Sequence, residues 1–193
     1  MAMKLLDPEY LWSRPEVLAK PSPVPHEPGI YAWYFKEIPD LVPINGCRQH
    51  NGCTLLYIGI SPKRPPAHGA SLSKQNLFER IRFHYRGHAE GSTLRLTLGC
   101  LLAKELGIQL RRTGSGKSMT FSEGEADLSK WMEDNAFVTW VVDPAPWVIE
   151  EQLILKESLP LNLDMNSRHD FRKTLSDIRC SAKKLARDLP VVT

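Results

Sequence analysis

Two apolar, aromatic runs constrain this chain more than any other feature: residues 29–35 (GIYAWYF) and 55–60 (LLYIGI). Each is rich in Ile, Tyr, Trp or Phe and is bounded by Pro or Asn-Gly, the pattern of a buried β-strand. Between them Pro39, Pro43, Asn45-Gly46 and Asn51-Gly52 punctuate the chain, which reads as a long irregular hairpin connection. Strands at about 29–36 and 54–60 are therefore expected to pair antiparallel. A third β-branched and aromatic run at 137–142 (FVTWVV) predicts a further strand.

Helical patterns fill most of the remainder. Asn76 with Glu79 three residues later fits a capping box, Leu77, Ile81 and Tyr85 form a stripe beside Phe78, and Gly87 closes the segment. A helix is predicted over 93–106, with Leu94, Leu98, Leu101 and Leu102 on one face. A loop with a short strand pair comes next at 107–124, then helices at about 125–134 and 146–158. Pro146 sits in the first turn of the latter, where its missing N–H costs nothing. Residues 1–28 read as a short helix and an extended, proline-rich lead-in. The stretch from Asn166 to Pro190 reads as a C-terminal helix or helix pair, with Phe171, Leu175, Ile178 and Leu185 on its apolar side. Few strands in mixed order with several helices predict an α+β fold: a small central antiparallel sheet, about three-stranded, flanked by helices. The expected division is lead-in 1–28, core domain 29–163 with an inserted helical segment at about 90–135, and a basic tail 164–193 packed on it.

The bulk chemistry narrows function only modestly. The net charge of +3 is too small for a global attractive field, so any polyanion must be held by a local patch. No apolar run approaches the ~20 residues needed to span a bilayer, and the first residues lack a secretory h-region; the expectation is a cytoplasmic protein without a membrane partner. Four cysteines make no disulfide framework; Cys47, His50 and Cys53 match no usual zinc spacing, Cys100 and Cys180 lie in apolar helical contexts, and all four are read as free thiols. The stretch 113–118 (TGSGKS) imitates the end of a phosphate-binding loop, but Arg111 stands where the first glycine of that motif belongs.

The two strands hold tripeptides that carry chemistry when taken with residues further along the chain. Gly29-Ile30-Tyr31 and Tyr57-Ile58-Gly59 are succeeded by Arg80 and His84 four apart on one helix, by Glu150 in a Glu-x-x-Leu-Ile helix, and by Asn162 in Pro160-Leu161-Asn162. In that order these residues resemble the GIY-YIG nuclease superfamily. The resemblance implies a metal-dependent phosphodiesterase acting on DNA, with the small α+β fold described above.

The residue chemistry suits that activity. An arginine fork donates to phosphate in bidentate geometry and stays charged, which fits Arg80. Glu150 shares a helix side with Trp147, Leu153 and Ile154, so its carboxylate faces an apolar surface and calls for a cation. Glu151 is the rival one residue on; the register with Asn162 favours Glu150. One carboxylate implies one hydrated Mg²⁺ (or Mn²⁺) that keeps positions open for phosphate and water. Tyr31 is assigned as general base and Tyr57 as its partner, the reverse assignment staying open at this point, and His84 is a candidate relay for the tyrosine's proton. Asn162 is expected to hold the sheet edge near the tyrosines. The position after Tyr57-Ile58-Gly59 is Ile60, where many family members carry lysine or another polar residue.

Lys63, Arg64, Arg172, Arg179 and Lys183 are the candidate DNA-binding cations. The reading requires Tyr31, Tyr57, Arg80, His84 and Glu150 to meet in one groove, with Arg80 and Glu150 on the same face of the sheet. Two alternatives stay open: an inactive module that binds nucleic acid or protein through the same cleft, and a nuclease subunit that needs a protein partner or a second copy.

Overall fold

The computed structural model describes residues 3–65 and 73–192. Two short helices, α1 (Met3–Leu6) and α2 (Arg14–Leu18), precede β1 (Gly29–Phe35). A two-residue strand β2 (Gln49–His50) and β3 (Cys53–Ser61) come next, then α3 (Leu77–Arg86) and α4 (Thr93–Leu101). A hairpin of β4 (Arg111–Thr113) and β5 (Ser118–Thr120) leads to α5 (Gly124–Asn135), β6 (Ala136–Val142), α6 (Pro146–Lys156) and α7 (Phe171–Asp188). The class is α+β. The main sheet has four strands in the order β2-β3-β1-β6 rather than three, because two residues of the hairpin connection add to the edge.

β1 is the central strand and is buried on both faces, which is why its sequence is apolar without interruption. Tyr31, Trp33 and Phe35 face one core, shared with Leu77, Ile81 and Tyr85 of α3 and with α4, α5 and α7. Ile30, Ala32 and Tyr34 face a second core, built with Leu5 and Leu6 of α1 and Leu153 and Ile154 of α6. The lead-in is thus structural on both sides: Val17 and Val24 enter the first core, and the Trp12 backbone pairs with Val138. Between Trp33 and Tyr34 the pairing of β1 with β3 shifts by one residue. Tyr57 then stands opposite Trp33, and Gly59 opposite Tyr31.

Several sequence expectations need correction. The helix starting at Thr93 ends at Leu101, not at 106, and the chain turns through Gly107 at φ 63. On α7 the buried residues are Phe171, Leu175 and Ala186, while Leu185 is exposed. The stripe at 171, 175, 178, 182 and 186 drifts around the helix, and Leu185 falls outside it. Cys180 is exposed rather than packed, and all four thiols are free. Residues 113–118 form the β4–β5 hairpin, with Gly114 and Gly116 at positive φ; no helix N-terminus adjoins it. Residues 61–75 (SPKRPPAHGASLSKQ), rich in Pro, Gly, Ser and Lys or Arg, read from sequence as a basic loop, and that segment lies partly outside the described residues. No helix among the described residues is long and apolar enough to cross a membrane.

Candidate active site

β2 covers only the first residues of β3, pairing with Thr54 and Cys53, so the edge of β3 beyond them is open to other groups. The segment after α6 takes that place. Leu161 N–H donates to the Leu56 carbonyl at 3.1 Å, and the buried Asn162 amide grips the next outward-facing residue. Its Oδ1 accepts from Ile58 N–H at 3.0 Å and its Nδ2 donates to Ile58 C=O at 2.9 Å. Both backbone groups of an exposed strand edge are satisfied by one side chain, between Tyr57 and Gly59.

A cleft of about 330 Å³ opens at this edge, lined among others by Tyr31, Tyr57, Arg80, Glu150, Asn162 and Asp164. Lys63 and Arg64 stand at its rim. α3 and α6 pack on opposite faces of the sheet, the first against the Tyr31 core and the second against the Ile30 core. The expectation of a shared face, a requirement of the sequence reading, was therefore wrong; the chemistry requires a shared cleft, not a shared face. Arg80 and Glu150 nevertheless line one cleft, because the open edge of β3 lets side chains from both faces reach the same space.

Tyr31 is the most constrained member. Its hydroxyl oxygen lies 2.8 Å from His84 Nε2, and Arg80 Nε donates to it at 3.4 Å. Gly59 makes the ring's position possible: a Cβ there would stand 2.5 Å from Tyr31 Oη and 2.7 Å from Cζ. Gly29 is required for a different reason, since a Cβ would strike the Val141 carbonyl and Leu77. Tyr57 lines the same cleft, and its hydroxyl has no hydrogen-bond partner among the described residues. Burial pushes the Tyr31 hydroxyl upward against the pull of Arg80, and burial together with the charge of Tyr31 pushes Tyr57 up further.

His84 does not line the cleft; it lies behind Tyr31, fully buried. Burial, with the charges of Arg80 and Arg95, drives its pKa well below the ordinary imidazole value, so the ring is neutral. Its Nδ1 lies 2.7 Å from Ser92 Oγ, the N-cap of α4. Arg80 is tied down on its other side, Nη1 donating to the Gly91 carbonyl at 2.9 Å. A buried ion pair braces this loop: Arg95 Nη2 meets Glu125 at 2.6 Å, and Glu125 also accepts from Ala89 N–H at 2.7 Å.

Glu150 is pushed up to about 7, first by burial and then by the charge of Asp164, with Lys63 opposing. Glu151 is exposed and pairs with Arg64 at 3.7 Å, outside the cleft. No group of three or more His, Cys, Asp or Glu gathers among the described residues, so no closed protein cage for a metal is present there. Glu150 and Asp164 offer hard oxygen donors of the number a hydrated Mg²⁺ uses beside water and phosphate. Arg179 on α7 turns toward α4, donating to Thr97 Oγ1 at 3.4 Å; burial lowers its pKa, and the charge of Asp164 is among those opposing the shift. Arg172 is exposed, donating to the Leu163 carbonyl at 3.2 Å, and Lys183 is half-buried near Cys100.

Sequence reasoning missed Ser92, Arg95 and Asp164. Asp164 stands two residues after Asn162 and could have been noticed as a second cleft carboxylate. Ser92 is legible as a helix cap, but its contact with His84 is not.

A family model described as GIY-YIG catalytic domain matches residues 29–181. No curated protein and no solved structure matches the chain.

Proposed function

The chain belongs to the GIY-YIG catalytic domain family, a nuclease-type domain, and from that premise we propose that it is an endonuclease hydrolysing DNA phosphodiester bonds with one divalent metal ion and a tyrosine general base. The observation that carries this reading is the single cleft lined by Tyr31, Tyr57, Arg80 and Glu150 at the open edge of β3.

Glu150, with Asp164 beside it, would hold Mg²⁺ or Mn²⁺. The bound ion supplies charge neutralisation on the phosphoryl oxygens and on the leaving oxygen. A carboxyl held near 7 in a half-buried cleft is a group that gains from such a cation. Arg80 is positioned by Gly91 and Tyr31, and its Nη2 makes no bond among the described residues, which leaves it free to donate to a phosphate. Tyr31, as the phenolate formed when its hydroxyl proton passes to solvent in the cleft, takes a proton from the attacking water as the water oxygen bonds to phosphorus. The bond from phosphorus to the leaving oxygen breaks, and that oxygen takes a proton from solvent. Tyr31 is favoured over Tyr57 as base because two nitrogen groups are arranged at its oxygen and none at that of Tyr57. Asn162 holds the β3 backbone and so the spacing of Tyr57 and Gly59. Lys63 and Arg64 at the rim, with Arg172, Arg179 and Lys183 on α7, are the proposed contacts to the DNA backbone.

Incubating the purified chain with Mg²⁺ or Mn²⁺ and supercoiled, linear, single-stranded or branched DNA tests the reading. Cleavage should be lost in Glu150→Ala with the fold retained, and kept in Glu151→Ala. Failure of the wild type to cut any DNA form, or full activity of Glu150→Ala, would overturn it.

A further inference from the structure

Ser92 Oγ is fully buried and has two neighbours to satisfy. It accepts the Arg95 backbone N–H at 3.1 Å, closing the first turn of α4, and it lies 2.7 Å from His84 Nδ1. The Arg95 donor is a first-turn N–H of α4 that has no intrahelical acceptor and is held by the helix geometry on the Ser92 oxygen. Among the described residues the Ser92 hydroxyl has no other hydrogen-bond acceptor.

Two proton arrangements are conceivable. If His84 Nδ1 carried the hydrogen, Ser92 Oγ would accept from both Nδ1 and Arg95, and its own hydrogen would be buried without a partner. If Ser92 donates to Nδ1 instead, Nε2 carries the ring's only hydrogen, and both ring nitrogens and the Ser92 hydroxyl are satisfied. The one hydrogen without a protein acceptor among the described residues is then that of Tyr31, which lines the cleft and can donate to water there. The penalty for an unpaired buried donor favours the second arrangement by on the order of ten- to a hundredfold. His84 then donates to the Tyr31 oxygen and cannot receive that tyrosine's proton.

We propose that Ser92 is a positioning residue that locks His84 in the Nε2–H tautomer, making His84 a hydrogen-bond donor to Tyr31 rather than a relay for its proton. Together with Arg80 Nε, His84 then presents two N–H groups to the Tyr31 oxygen. This supports its phenolate once the hydroxyl hydrogen has passed to a water in the cleft, and the phenolate oxygen then accepts a proton from the attacking water. The role of Ser92 in turnover rests on the endonuclease reading; the tautomer does not.

The test is long-range ¹H–¹⁵N correlation of the histidine rings in the whole protein, with His84 assigned by the loss of its signals in His84→Gln. The wild type should show Nδ1 unprotonated and Nε2 protonated. Ser92→Ala should lose this single tautomer and lower kcat about tenfold with KM unchanged, the scale of one hydrogen bond realised in the transition state. Ser92→Thr should restore both. A protonated Nδ1 in the wild type overturns the proposal, and that spectrum decides even if the alanine variant does not fold. Ser92→Ala with wild-type tautomer and kcat overturns it too. If the wild type cleaves no DNA, the nuclease reading fails while the ring spectrum still judges the tautomer.

Discussion

Gly59→Ala is the most direct probe of how the sheet register holds the site. Its methyl carbon would stand 2.5 Å from Tyr31 Oη, 2.7 Å from Cζ and 2.9 Å from Cε2. Ordinary contacts of this kind are about 3.5–4.0 Å, so the ring must retreat by about 1 Å. It has little room, because Tyr31 is 1% exposed and its oxygen is 2.8 Å from a fully buried histidine. A displacement of that size takes the His84 contact out of the hydrogen-bonding range, whichever way the ring moves. Overpacking of this kind costs about 1–3 kcal/mol, which a domain stable by about 5–15 kcal/mol survives. Catalysis is more sensitive: a displacement of about 1 Å in a positioned group costs on the order of a hundredfold. Chemical denaturation should therefore show a modest loss of stability, while single-turnover DNA cleavage falls about a hundredfold. Gly107→Ala is the control, since it carries positive φ but nothing lies within 4 Å of the added carbon. A Gly59→Ala protein that cleaves at the wild-type rate would refute the reasoning, because the ring would then have space that the geometry denies it.

The same site supports two further expected outcomes. Glu150 is pushed up to about 7 from 4.5 by burial and by Asp164, so in EDTA the folded state binds its proton more tightly than the unfolded chain does; its contribution to stability should fall as pH rises from about 4.5 to 7. Thermal melts should show this decline flattened in Glu150→Gln, and Mg²⁺ at pH 8 should raise Tm in the wild type but not in that variant; a Tm response to pH identical in both proteins would contradict the assignment. Replacing Arg172, Arg179 and Lys183 together by alanine should flatten the dependence of log affinity on log salt by about 0.9 for each phosphate no longer neutralised, and should weaken binding evenly across sequences. A salt titration of DNA binding checks it, and an unchanged slope would leave α7 as a packing element only.

The three longer strands, the pairing of β1 with β3 and the cap at Asn76 were all legible in the sequence, because each depends on short-range chemistry. A seven-residue apolar run covered on both faces has few other solutions, and Asn76 Oδ1 accepts from Glu79 N–H at 2.9 Å as an N-cap side chain should. The tripeptides and the Arg80–His84 spacing pointed to the family for the same reason. What the sequence could not reveal was how the pieces meet. α3 and α6 were expected on one face and pack on two. Their side chains share a cleft only because β2 stops short and leaves the edge of β3 for Asn162 to close. Helix length after Thr93 was misjudged because leucines at helical spacing continue past the point where tertiary packing turns the chain. Ser92 behind His84, and Arg95 on Glu125 some 30 residues away, are pairings set by three-dimensional packing, to which no local periodicity corresponds. Local propensity and pattern determined which elements this chain forms; the edge left open in its sheet decided where their functional groups converge.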